Sequence, residues 1–186
     1  ADFAFIQHML ATTRDDGRLA VVMPHGVLFR GGAEGRIRQH LVEQDLIEAV
    51  IGLPANLFYG TGIPACILVL RRGKPAARRD RVLFIHAAAD FEAGKRQNKL
   101  RPQDIARATK VFVKFADESR YSRAVPLTEL RENEFNLNIT RYVDTAPPEE
   151  PVDLPAELRK LEKLQRERDV AEARVREHLV KLGLLK

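Results

Sequence analysis

A chain of 186 residues is long enough for one domain of ordinary size, or for one core with an appendage. With 45% hydrophobic and 31% charged residues it reads as a globular protein, and no apolar run approaches the roughly 18 residues of a membrane-spanning helix. The net charge of +5 and pI near 9.6 suit a nucleic-acid partner without requiring one.

The single cysteine, Cys66, cannot form an internal disulfide, which suits a reducing cytoplasm. It stands in an apolar run and reads as a small buried hydrophobe rather than a nucleophile. No signal peptide is recognisable. The chain begins at Ala1 and enters an apolar-patterned segment at once, which suggests a piece of a longer protein.

In chain order, Asp2 can cap a helix over about 3–13, with Phe3, Ile6 and Leu10 on its apolar side. Arg18 to Met23 reads as a buried strand ending at Pro24. Pro24, His25 and Gly26 then form a loop at a strand's carboxyl end, where open α/β sheets place ligands. A second helix covers about 33–43. Two short apolar runs, 46–52 and 63–71, flank a Gly- and Pro-rich loop and predict antiparallel strands. A further strand covers 82–86. Pro102 and Asp104 open a helix to about Phe115, and residues 117–143 read as mixed short elements. Residues 145–155, with four prolines and three acids, read as a linker. A long amphipathic helix closes the chain over about 156–186. Its Leu158, Leu161, Leu164, Val175 and Leu179 form an apolar stripe that seeks a partner helix, and Glu162–Arg166, Glu172–Arg176 and Glu177–Lys181 are spaced to pair along it.

The loop between the two central strands holds Phe58 and Tyr59 beside Gly60 and Gly62. Glycine permits close backbone approach and an aromatic offers a stacking face, so this loop suits a flat ligand, although ordinary hairpin packing would use the same residues. Two basic stretches, Arg71, Arg72 and Lys74 within 71–81 and Lys95, Arg96 and Lys99 within 95–101, could neutralise phosphates or simply face solvent. His86 and Asp90 are the nearest approach to a metal pair, but they follow a strand, and no metal site is expected. His25 is the only histidine in a ligand-side loop.

Residues 17–38 (Gly-Arg-Leu-Ala-Val-Val-Met-Pro-His-Gly-Val-Leu-Phe-Arg-Gly-Gly-Ala-Glu-Gly-Arg-Ile-Arg) and 46–68 (Leu-Ile-Glu-Ala-Val-Ile-Gly-Leu-Pro-Ala-Asn-Leu-Phe-Tyr-Gly-Thr-Gly-Ile-Pro-Ala-Cys-Ile-Leu) resemble the C-terminal part of the modification subunit of type I restriction-modification systems. Phe91, Glu92, Gly94, Lys95, Asn98 and Leu100 are similar to that family too, as is 136–143 (Asn-Leu-Asn-Ile-Thr-Arg-Tyr-Val). The resemblance covers about residues 1–145; the final helix is similar in kind and placement.

The resemblance implies an adenine-specific DNA methyltransferase that uses S-adenosylmethionine. It implies the C-terminal half of a doubly wound α/β methyltransferase sheet over 1–86, mostly parallel, with a terminal β-hairpin. A mixed extension over 87–144, the linker and an α-helical tail follow. The family's donor-binding glycine motif and its Asn-Pro-Pro-Phe motif are absent here, which points to an inactive fragment with one sheet edge open. Self-association or disorder near residues 1–25 would follow. The resemblance also implies that a flipped adenine stacks on Phe58, with Tyr59 as second choice and Pro24, His25 and Gly26 near the catalytic mouth. DNA, a specificity subunit and a restriction subunit are the implied partners, with the final helix as the docking element. Alternatives are a non-catalytic interaction module, or a methyltransferase of RNA or protein.

Overall fold

In the computed structural model, residues 2–146 and 153–185 are described, so most of the predicted linker lies outside the described residues. The chain divides into two units after residue 146. The first opens with α1, Asp2–Thr12, which buries Phe3, Ile6 and Leu10 at helical spacing. Asp2, predicted as its cap, is its first residue and pairs with Arg30 at 3.0 Å. Strand β1 (Arg18–Pro24) leads through a 3-10 turn, His25–Leu28, to α2 (Gly32–Glu43). The hairpin strands β2 (Ile47–Gly52) and β3 (Ala65–Arg71) follow, then β4 (Arg81–His86), α3 (Pro102–Lys114), β5 (Ser122–Pro126) and α4 (Leu127–Glu132).

The five strands lie in the order β1-β3-β2-β4-β5. Strands β2 and β3 pair antiparallel as predicted, and β3 inserts between β1 and β2, with Leu68 opposite Val21 on one side and Val50 on the other. The sheet is not mostly parallel in its ladders: β2–β4 is the parallel pair, while β1–β3, β2–β3 and β4–β5 are antiparallel. The strands β1, β2 and β4 nonetheless run the same way, because β3 separates β1 from β2 and reverses direction. Their carboxyl ends at Pro24, Gly52 and His86 therefore share one end of the sheet.

Alternation along the strands builds two cores. On one face Leu68, Leu70, Val50, Phe84 and Val125 pack with Ile6 of α1, Val42 of α2, Leu130 of α4 and the segment carrying Leu137 and Ile139. On the other, Ala49, Val69, Leu83 and Ile85 pack with Val111 and Phe112 of α3. Residues 87–143 thus share the core of the hairpin strands, and β5 extends the same sheet. Strand β1 is not the fully buried strand that its apolar run predicts. It is an edge strand with β3 as its described neighbour, and Val22 is 50% exposed on the face that α3 covers elsewhere. Residues 2–24 form regular helix and strand around the turn at 13–17, not a disordered segment.

Helix α3 starts as its sequence predicts. The Asp104 carboxylate accepts from the Arg101 backbone N–H at 2.9 Å and from its guanidinium at 2.9 Å, closing a capping box behind Pro102. In the second unit α5 runs Leu154–Lys181, with the Asp153 carboxylate accepting from Ala156 N–H at 3.1 Å. Of its three predicted pairs, Glu177–Lys181 closes at 2.6 Å, and Glu162–Arg166 and Glu172–Arg176 do not. No described helix is long and apolar enough to cross a membrane.

Candidate functional site

The loop from Leu53 to Pro64 is closed at its base by Leu53 N–H donating to the Ala65 carbonyl at 2.9 Å. Gly60 takes a positive φ of 75°, the left-handed conformation that favours glycine. Beyond that turn Ile63 N–H donates to Thr61 Oγ1 at 3.1 Å. The loop holds its large apolar side chains outward: Phe58 is 44% exposed, Ile63 64% and Tyr59 90%. Phe58 and Ile63 meet Val22 and Pro24 of β1 around an open, largely apolar cleft of about 250 Å³. The cleft brings together Phe58 and Pro24 from the predicted set. Tyr59, Gly60, His25 and Gly26 do not line it.

His25 instead turns inward. Burial lowers its pKa, partly offset by the backbone of Ala65. Its buried Nε2 has no hydrogen-bond partner among the described residues. Gly52 keeps this corner tight, since a Cβ there would stand 2.7 Å from Ile139 Cδ1. Gly26 faces the Arg30 guanidinium, which a Cβ would meet at 2.5 Å. His86 also has a lowered pKa, chiefly from burial. Asp90 is paired with Arg107 at 3.1 Å.

The two basic stretches part company. The 92–99 turn lies against the aromatic loop: Asn98 N–H donates to the Asn56 carbonyl at 2.8 Å, Asn98 Nδ2 to the Ala55 carbonyl at 2.9 Å, and Gln97 Nε2 to the Leu57 carbonyl. Lys95, Arg96 and Lys99 on this turn are exposed. Arg71, Arg72 and Lys74 belong to the opposite end of the sheet, where β3 leaves and β4 begins. There Arg72 pairs with Asp15 at 2.9 Å and Arg71 with Glu48 at 3.6 Å. The Lys74 side chain is 1% exposed and donates to Asp45 at 2.5 Å and to the Arg81 carbonyl. Lys74 is thereby corrected from a surface cation to an internal tie, its charge neutralised inside the fold.

Two features of the fold have little trace in the sequence. Glu48, within a run read as apolar, is fully buried and gathers Arg18 at 2.8 Å and Arg78 at 3.0 Å besides Arg71. A lone acid inside a buried strand, with arginines near both flanking strands, was the available signal. Gln97 lies in a polar basic stretch and Asn98 stands out there only by its family likeness; their grip joins segments 40 residues apart, which leaves no local signal. Burial raises the Cys66 pKa to about 12, in keeping with a packed thiol and not a nucleophile. On α5, Leu158, Leu161, Leu164 and Val175 are each more than half exposed, and Leu179 is partly exposed.

This sheet, with its reversed inserted strand, belongs to a fold shared with solved type I methyltransferase subunits. The methyltransferase subunit of the type I restriction-modification system from Streptococcus thermophilus superposes with a TM-score of 0.75 at 41% identity, over 78% of this chain and 30% of that one. The EcoKI M protein shares the fold at a TM-score of 0.63 and 21% identity, over 94% of this chain and 44% of that one. The N-6 DNA methylase family model matches residues 1–151, and the chain belongs to that family. The MjaVII methylase subunit of Methanocaldococcus jannaschii is 38% identical over 169 residues, 89% of this chain and 29% of that protein. The MpnII methylase subunit of Mycoplasma pneumoniae is 34% identical over 154 residues, 83% of this chain and 28% of that protein. The resemblance to type I modification subunits is borne out, and the chain spans less than a third of the length of these two relatives.

Proposed function

We propose that this chain supplies the base-receiving wall of a type I modification subunit, which transfers a methyl group from S-adenosylmethionine to the exocyclic amine of adenine in DNA. That amine is paired inside the duplex, so the base must swing out to react. Phe58 is the platform on which the extrahelical adenine stacks, ahead of Tyr59, and Pro24 forms the facing rim. The observation that carries the reading is the meeting of Phe58 and Pro24 around one apolar cleft at the carboxyl ends of the strands. His25, Gly26 and Gly60 shape the two turns behind that rim. Lys95, Arg96 and Lys99 are the candidates for phosphate contact, since they stand exposed on the turn that holds the aromatic loop.

The residues gathered here do not fit S-adenosylmethionine by themselves. The cleft is largely apolar, and no charged side chain lines it. The 186 residues alone are therefore inactive, with the donor held by other parts of the complete protein. A specificity subunit reads the DNA sequence and docks on the exposed stripe of α5, a restriction subunit joins the complex, and the assembly works in the cytoplasm. That stripe also supports a second reading, in which the chain by itself acts as an interaction module.

Base stacking is worth about 1–3 kcal/mol, so Phe58→Ala in the complete subunit with its specificity partner lowers kcat/KM for methylation by about 5- to 150-fold. An unchanged rate and unchanged affinity for an extrahelical base would remove Phe58 from this role. Titration of the 186-residue chain with S-adenosylmethionine is expected to show no saturable micromolar binding; saturation would overturn the assignment of the donor to other residues.

A further inference from the structure

We propose that Gln97 and Asn98 are positioning residues that clasp the aromatic loop and set where the ring of Phe58 stands. This rests on the stacking role of Phe58 argued above and adds the part that holds it.

Residues 54–62 have little to fix them from within. The loop contains a residue of positive φ at each side of the aromatics, Asn56 at 58° and Gly60 at 75°, and Tyr59 at its tip is almost fully exposed. Among the described residues, the hydrogen bonds that reach 54–62 from outside it come from Gln97 and Asn98, apart from the adjoining Ile63 N–H on Thr61. They fall on three successive carbonyls, Ala55, Asn56 and Leu57, immediately ahead of Phe58. A backbone held at three consecutive units has little freedom left at the next Cα, so the direction in which Phe58 leaves the loop is fixed by this turn.

The clasp is built to be stiff. Glu92 and Lys99 exchange backbone hydrogen bonds at 2.8 and 3.0 Å and close the turn. Gly94 N–H donates to Asn98 Oδ1 at 3.4 Å, which orients the amide so that Nδ2 faces the Ala55 carbonyl. A side chain at Gly94 would run into the Gln97 carbonyl, so the tight bend requires glycine. The turn is also anchored at its far end. Leu100 and α3 line an apolar cavity of about 180 Å³ with Ile51, Leu53 and Ile67, and Arg101 enters the capping box with Asp104. Strand ends, clasp and aromatic loop form one connected unit, and the exposed Lys95, Arg96 and Lys99 ride on it. DNA that engages those cations meets a ring already in place.

The test uses the complete subunit assembled with its specificity partner and a duplex carrying 2-aminopurine at the target adenine. Gln97→Met and Asn98→Leu preserve side-chain size, add no charge and remove the amide donors. Their combination is expected to lower both the 2-aminopurine fluorescence rise and the methylation kcat about tenfold. The thermal midpoint and the affinity for the duplex stay unchanged. Hydrogen exchange at amides 57–62 is expected to quicken about tenfold as the loop is released. A merely structural role would instead lower the midpoint and the duplex affinity in step with activity, and that result overturns the proposal, as does unchanged exchange. Phe58→Ala is measured beside them. If it alters neither fluorescence nor methylation while the clasp variants still quicken exchange, the stacking role fails and the clasp stands. If Phe58→Ala abolishes the fluorescence rise and the clasp variants do not, the clasp fails and the stacking role stands.

Discussion

The two ends of the sheet both collect basic side chains and use them in opposite ways. At the amino ends of β1, β2 and β4 several cations are drawn into the fold. Arg18, Arg71 and Arg78 converge on the fully buried Glu48, Arg78 and Arg18 also lie over the Phe112 ring at 5.5 and 5.3 Å, and Lys74 is sealed against Asp45. At the carboxyl ends Lys95, Arg96 and Lys99 are exposed, and none has an ion pair among the described residues. The difference teaches that a count of basic residues does not locate a polyanion site. A cation taken out of water must be matched inside the fold, so those at the amino ends are committed to holding β1, β3 and the 71–81 connection together. Those at the carboxyl ends keep their charge available.

The strongest way to break this comparison is at Glu48. Glu48→Ala leaves Arg78 and Arg71, with side chains only 16% and 24% exposed, facing an uncompensated pocket. Removing one partner of a buried pair costs about 3–5 kcal/mol, and Arg18, at 41% exposure, adds little because solvent screens it. Urea unfolding should show a correspondingly lower midpoint. A shift below about 1 kcal/mol would mean that water reaches this cluster and that its arginines are not committed at all.

The next largest effect sharpens the contrast through DNA. Each phosphate neutralised contributes about 0.9 to the slope of log K against log salt. The double change Lys95→Ala with Lys99→Ala is expected to reduce that slope by about 2 in the complete protein. Arg71→Ala with Arg72→Ala should leave it unchanged, because those side chains already serve Glu48 and Asp15. The reverse pattern would assign the DNA-facing role to the amino ends.

Much of the fold was legible because it is written in local periodicity. The spacing of Phe3, Ile6 and Leu10 specifies the buried face of α1, and the two apolar runs around a Gly-rich loop specify β2 and β3. The proposed site was partly legible: aromatics beside glycine single out the loop of Phe58, and a strand ending at Pro24 supplies the other side of the cleft. What stayed hidden depends on chain segments distant in sequence. The insertion of β3 between β1 and β2 makes β1 an edge strand, which its uniformly apolar residues do not reveal. Lys74 looks like any surface lysine until Asp45 is folded against it. Gln97 and Asn98 look like loop polarity until Ala55, Asn56 and Leu57 arrive beside them. The resemblance to a family supplied the proposed ligand, which composition and spacing left open.

The smallest expected effect concerns acid, and it should strike the carboxyl ends first. His25 and His86 both have pKa values lowered from 6.5, chiefly by burial. The unfolded chain therefore binds more protons than the native one as pH falls through that value. Linkage then makes their contribution fully present above about pH 6.5 and progressively lost toward the lower folded values. Asp104 works in the same direction at a lower window. Its hydrogen bond to Arg101 lowers its pKa from 3.8, so the α3 cap persists until the pH drops below the ordinary carboxylate range. Unfolding midpoints measured from about pH 7 to about pH 5 should decline, and His86→Gln should flatten that decline by removing one of the two groups that must charge. Repulsion between the two imidazoles adds to the cost, since His25 lowers the pKa of His86. His25→Gln should then leave His86 titrating closer to its ordinary value. An equally steep decline in both variants would move the acid sensitivity away from this corner, and with it the argument that partly buried histidines with lowered pKa values help to hold the corner behind the aromatic loop.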